Sequence, residues 1–102
     1  MQITGIKIRK LLDDGRLRAI VSVTLDGQLA VHDIKVVQGA ERLFIAMPSR
    51  REDNGIFRDI VHPITPEARE WLEGAVLAAY RAAVAEAAVS LPSAPAKQSP
   101  AS

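Results

Sequence analysis

Asp14-Gly15-Arg16-Leu17-Arg18-Ala19-Ile20-Val21-Ser22-Val23-Thr24-Leu25-Asp26-Gly27 decides the fold class. Two Asp-Gly pairs bracket this β-rich run. Asp-Gly is a strong hairpin signal there, because glycine takes the positive φ of a tight turn at no steric cost. Within the run, Leu17, Ala19, Val21, Val23 and Leu25 alternate with Arg16, Arg18, Ile20, Ser22 and Thr24. A period of two puts the first set on one face of a strand and the second set on the other. Gln38-Gly39 repeats the turn signal at the same interval of twelve residues.

Outward from this run, residues 2–11 place Ile6 and Ile8 on one face with Lys7 and Arg9 opposite. Residues 29–37 and 42–47 are β-rich and mostly apolar, and 56–61 read as a last short strand. Four or five strands joined by tight turns predict an antiparallel meander, since parallel pairing needs crossovers that are not present. The period then changes. Thr65-Pro66-Glu67 supplies a capping hydroxyl, a proline at the first helical position and a carboxylate in the first turn. Residues 66–89 follow with Gly74 as the one breaker. Ala68, Leu72, Ala75, Val76, Ala79 and Ala83 share a face that is expected to lie on the sheet. Leu77, Tyr80 and Val84 form a second ridge, which one sheet is not expected to cover; it meets either a partner chain or the sheet's margin. The fold class read from the sequence is therefore α+β, a meander of four to five strands with one long C-terminal helix packed on it. The folded domain is 1–89. Residues 90–102, rich in Ser, Pro and Ala, are expected to be a disordered tail.

A chain of 102 residues, 48% of them apolar, holds one domain with a core. It has no cysteine, which excludes disulfides and thiolate metal sites. No apolar run is long enough to span a bilayer, and the start lacks the layout of a secretory signal. These features predict a cytoplasmic protein without a membrane partner. Net charge is only +1, but residues 1–51 carry +4 and residues 52–102 carry −3. Any attraction for phosphate thus belongs to a local patch on the first half.

Three stretches are distinctive: Val31-His32-Asp33-Ile34, Leu43-Phe44-Ile45-Ala46-Met47-Pro48-Ser49-Arg50-Arg51, and Phe57-Arg58-Asp59-Ile60-Val61-His62-Pro63-Ile64. At this spacing, and with Arg69, Ala75-Val76-Leu77 and Tyr80 beyond them, the chain resembles the SpoVG (stage V sporulation protein G) family over about residues 1–80. The resemblance implies a dimeric α+β domain that binds DNA, and RNA in some members. It also implies a setting of septation, cell division and the cell cycle, sporulation, or transcription regulation. The helix departs from a DNA-binding pattern: Glu67, Glu70, Glu73 and Glu86 outweigh Arg69 and Arg81, and an acidic helix repels phosphate. Arg69 alone is carried over from it as a nucleic-acid contact.

Arg50 and Arg51, in the segment 48–55, are the main candidates. Two guanidiniums on a projecting loop grip phosphates or a guanine edge, unless Glu52 and Asp53 pair with them. Arg58 either extends that patch or pairs with Asp59 or Asp33. Lys7, Arg9, Lys10, Arg16 and Arg18 read as the ordinary solvent face of a hairpin. His32, Asp33, Asp59 and His62 are metal-ligand types, but they lack ligand spacing. They are read instead as a hydrogen-bond network tying strand 29–37 to strand 56–61. Phe44 and Phe57 read as core and Trp71 as core or dimer surface, which leaves little basis for base stacking.

No nucleophile elbow or phosphate-cradling glycine loop is present. The expectation is a non-enzyme, with no cofactor, metal or small-molecule substrate. It acts on nucleic acid as a homodimer whose exposed sheet edges offer strand pairing. The rival expectation is a protein-interaction adaptor that never touches DNA.

Overall fold

The computed structural model describes residues 1–13 and 15–90. In chain order these form β1 (Ile3–Leu11), β2 (Leu17–Leu25), β3 (Leu29–Gln38), β4 (Leu43–Ala46), β5 (Ser49–Arg51), β6 (Phe57–Asp59) and α1 (Pro66–Ser90). Strands β1 to β4 make one antiparallel sheet in sequence order, so the meander and the α+β class are as the turn spacing predicts. The rest of the tail, residues 91–102, lies outside the described residues.

The Asp26-Gly27 turn shows why the register is fixed. Asp26 has φ 54° and Gly27 φ 62°, and the Gln28 N–H donates to the Leu25 carbonyl at 2.9 Å. Two successive positive φ values are what a type I′ turn requires. The same turn anchors the start of β1. The Gln2 N–H donates to Asp26 Oδ1 at 2.9 Å, and the Gly27 N–H to Thr4 Oγ1 at 2.7 Å. Gly39 serves differently. A Cβ there would stand 2.9 Å from the Arg42 carbonyl oxygen and 3.1 Å from the Phe44 ring, so close approach excludes a side chain.

The core is the inner face of the sheet. Ala19, Val21, Val23, Ile34, Val36 and Ile45 are buried there against Leu72, Val76, Leu77 and Tyr80 of α1. Here the expectation for the helix is corrected. The ridge assigned to a partner chain or a margin is largely covered by this one sheet: Leu77 is 6% and Tyr80 7% exposed, and only Val84, at 40%, stands at the edge. The helix is turned so that its large side chains are central, while Ala75 and Ala79 take the half-buried flank. Burial gain scales with apolar area, so large residues win the centre over alanines.

The second correction concerns residues 56–61. They do not extend the meander. Strand β6 pairs with β5 in a separate two-stranded ribbon. Pro48 follows β4 and has no N–H to continue a ladder with β3. Its carbonyl instead accepts the Ile60 N–H at 2.8 Å, closing the base of the ribbon.

Candidate nucleic-acid interface

The ribbon is built by a short turn. The Gly55 N–H donates to the Glu52 carbonyl and the Glu52 N–H to that of Ile56, each at 2.9 Å. Gly55 has φ 83°, the left-handed residue that such a three-residue hairpin loop needs. Register pairs Arg50 with Arg58, Arg51 with Phe57 and Ser49 with Asp59.

Because side chains alternate along a strand, Arg50 and Arg58 share one face of the ribbon. Arg51, Phe57 and Asp59 share the other. The two neighbouring arginines are therefore not one grip on a loop. They belong to a strand and point to opposite sides.

Arg58 is held by Glu52: its Nε donates to Glu52 Oε2 at 2.9 Å. Neither Asp59 nor Asp33, the carboxylates expected for it, is its partner. Arg50 and Arg51 have no carboxylate partner among the described residues. Both are exposed. The strands and turn of the ribbon hold equal numbers of cations and acids, so its value for phosphate lies in where those two free guanidiniums stand. Phe57, read from the sequence as core, is 66% exposed.

Arg69 is placed elsewhere and is occupied. It donates to the Ile45 carbonyl at 2.9 Å and lies 3.6 Å from Glu73, one helical turn on. Glu73 is the functional-looking residue that the sequence reading missed. It is 9% exposed, accepts the Ile45 N–H at 3.0 Å and meets Arg42 at 3.4 Å. The signal was available, since an acid between Leu72 and Val76 falls on the apolar face of the helix.

The four residues expected to form one network are separated. His32 Nδ1 lies 2.8 Å from Ser22 Oγ, which also accepts from Arg9 Nε at 3.1 Å. Asp33 has φ 64° and forms a bulge with His32: Val21 pairs with Ile34 and Val23 with Val31, so two residues of β3 face Ser22 alone. Strands β3 and β6 lie in different sheets. Among the described residues no hydrogen bond joins His32 or Asp33 to Asp59 or His62, so the network tying the two strands is not formed. No group of three or more His, Asp or Glu among the described residues could hold a metal ion. No helix among them is long and apolar enough to cross a membrane.

The family model described as SpoVG matches residues 1–82. The chain belongs to the SpoVG family. A "Putative septation protein SpoVG" of Desulforudis audaxviator is 59% identical over 80 residues, covering 78% of this chain and 91% of the relative. One of the same name from Clostridium beijerinckii is 54% identical over 89 residues, covering 87% and 98%. The structure shows what the distinctive stretches of this SpoVG domain build. Val31-His32-Asp33-Ile34 is the β3 bulge. Leu43 to Arg51 runs from the edge strand through Pro48 into the ribbon, and Phe57 to Ile64 leads from the ribbon toward the helix.

Proposed function

We propose that this chain is a nucleic-acid-binding regulator with a septation-related role, acting as a homodimer through the β5–β6 ribbon. The observation that carries the reading is the pair of exposed, carboxylate-free guanidiniums, Arg50 and Arg51, on opposite faces of a two-stranded ribbon. The major groove of DNA admits such a ribbon, and a guanidinium binds a phosphate or a guanine edge. Arg58, half-engaged by Glu52, extends the Arg50 face. Arg69 is not included, because its guanidinium is engaged inside the fold. The septation role rests on the names of the relatives.

Dimerisation is supported by exposed apolar side chains along Ile60, Val61 and Ile64, and Val61 lines a cleft together with Trp71 of the helix. An exposed apolar run of this kind marks a surface that a protein covers. Pairing through the edge of β4 is disfavoured, since Glu73 and Arg69 already satisfy both backbone groups of Ile45.

The same apolar run favours a second reading, a protein-interaction adaptor for division machinery. Retention on immobilised DNA and RNA separates the two. The first reading expects retention by the wild-type chain and its loss in Arg50→Ala with Arg51→Ala. Partner capture that survives nuclease treatment, with no retention on either nucleic acid, supports the adaptor instead.

A further inference from the structure

The face of the sheet turned away from α1 carries a charge pattern that the ribbon does not use. Directly paired residues in an antiparallel sheet share a face. Since Val21, Val23, Ile34 and Val36 are inner, the pairs Lys7 with Ser22, Lys10 with Ile20, Ile20 with Lys35 and Lys35 with Ala46 are outer. Arg9 is the extra residue of a β1 bulge, and its hydrogen bond to Ser22 brings its guanidinium to the same face. Lys7, Arg9, Lys10 and Lys35 thus converge. Among the described residues none of the four makes an ion pair. Asp33, at the bulge, is the only acid within strands β1 to β4. On the other side of the sheet, α1 carries four Glu against two Arg. A chain of net charge +1 is therefore polarised through its thickness, basic on the open sheet and acidic on the helix.

The spacing suits a phosphate backbone. Strands lie about 4.8 Å apart and rise about 3.3 Å per residue, so Lys7, Lys10 and Lys35 stand roughly 10 Å from one another. Lysines act as mobile point charges rather than as readers of base edges. Among the described residues the one Phe, Tyr or Trp on this face, Phe44, is half-buried opposite Val37.

We infer that the outer sheet face, through Lys7, Arg9, Lys10 and Lys35, is a second nucleic-acid contact surface that binds the phosphate backbone without regard to sequence. The inference rests on the nucleic-acid reading proposed above. It assigns the net positive attraction to the sheet and leaves placement to the ribbon. The helix layer, being acidic, faces away from the nucleic acid.

The test is anisotropy of labelled duplexes of several unrelated sequences, titrated across a salt series with the full chain. The variant is Lys7→Gln with Lys10→Gln and Lys35→Gln, checked for an unchanged melting curve. Each lost phosphate contact lowers the log–log salt slope by about 0.9, so the triple change is expected to lower it by roughly 2 to 3 for every duplex. Replacing the same three lysines by arginine is expected to keep the slope. A triple Gln variant that binds as the wild type does, while Arg50→Ala with Arg51→Ala loses binding, overturns the sheet face and leaves the ribbon standing. A wild-type chain that binds no duplex or RNA overturns both. Binding to vesicles of anionic lipid but to no nucleic acid overturns the assignment of the ligand.

Discussion

Ile45 and Glu73 are joined across the helix–sheet junction: the Ile45 N–H donates to Glu73 Oε2 at 3.0 Å, and Arg69 takes the Ile45 carbonyl at 2.9 Å. Strand β4 is an edge, so these two groups would otherwise face outward unpaired. An i,i+4 pair on the helix stands in for the missing neighbouring strand. Leaving a buried N–H without its charged acceptor costs about 2–3 kcal/mol. Glu73→Ala is expected to lower unfolding free energy by that amount in urea, with the m-value unchanged.

Asp33 is held at φ 64° in the β3 bulge. The left-handed region costs most side chains roughly 1–2 kcal/mol, and Asn, Asp and Gly least. Asp33→Val is expected to destabilise by at least that much, whereas Asp33→Asn is expected to be neutral within about 0.5 kcal/mol. Thermal melts of the two variants check the contrast.

Two glycines should respond in opposite directions to alanine. Gly39→Ala drives a methyl against the Arg42 carbonyl and the Phe44 ring and is expected to cost about 1–3 kcal/mol. At helical Gly74 nothing lies within 4 Å of an added Cβ. There Gly74→Ala is expected to stabilise by about 0.5–1 kcal/mol, through helix propensity and a less free unfolded chain. Paired denaturation curves would show it.

The apolar surface at Ile60, Val61 and Ile64 gives a prediction for assembly. Ile60→Asp with Ile64→Asp is expected to convert a dimer into a monomer of unchanged far-UV circular dichroism. Both side chains are more than half exposed in the single chain, so the fold does not depend on them. Light scattering of the two proteins at equal concentration measures this.

Local chemistry made much of the fold legible. Asp26-Gly27 announced its turn, and the alternation through 17–25 announced which side of β2 is buried. Thr65 caps the helix as read: its Oγ1 accepts the Ala68 N–H at 3.0 Å. What the sequence hid was competition between elements. Residues 56–61 are β-rich, but Pro48 decides that they pair with 49–51 and not with the meander. Leu77 and Tyr80 look surplus in the sequence, because Ala68, Leu72, Ala75, Val76, Ala79 and Ala83 already make a face at helical spacing. The site was legible only in part. Arg50 and Arg51 stand exposed on the ribbon, but their opposite orientations depend on register, and the partner of Arg58 depends on a turn bringing Glu52 back toward it. Lys7, Arg9 and Lys10 read as an ordinary solvent face, because their convergence with Lys35 exists only across three strands.

Free guanidiniums on the ribbon are proposed to hold nucleic acid, and the salt dependence of binding by Arg50→Ala with Arg51→Ala decides whether they do. If each arginine neutralises a phosphate, the log–log slope falls by about 2 relative to the wild-type chain, with weaker binding at every salt concentration. An unchanged slope and affinity in the double variant would contradict the account.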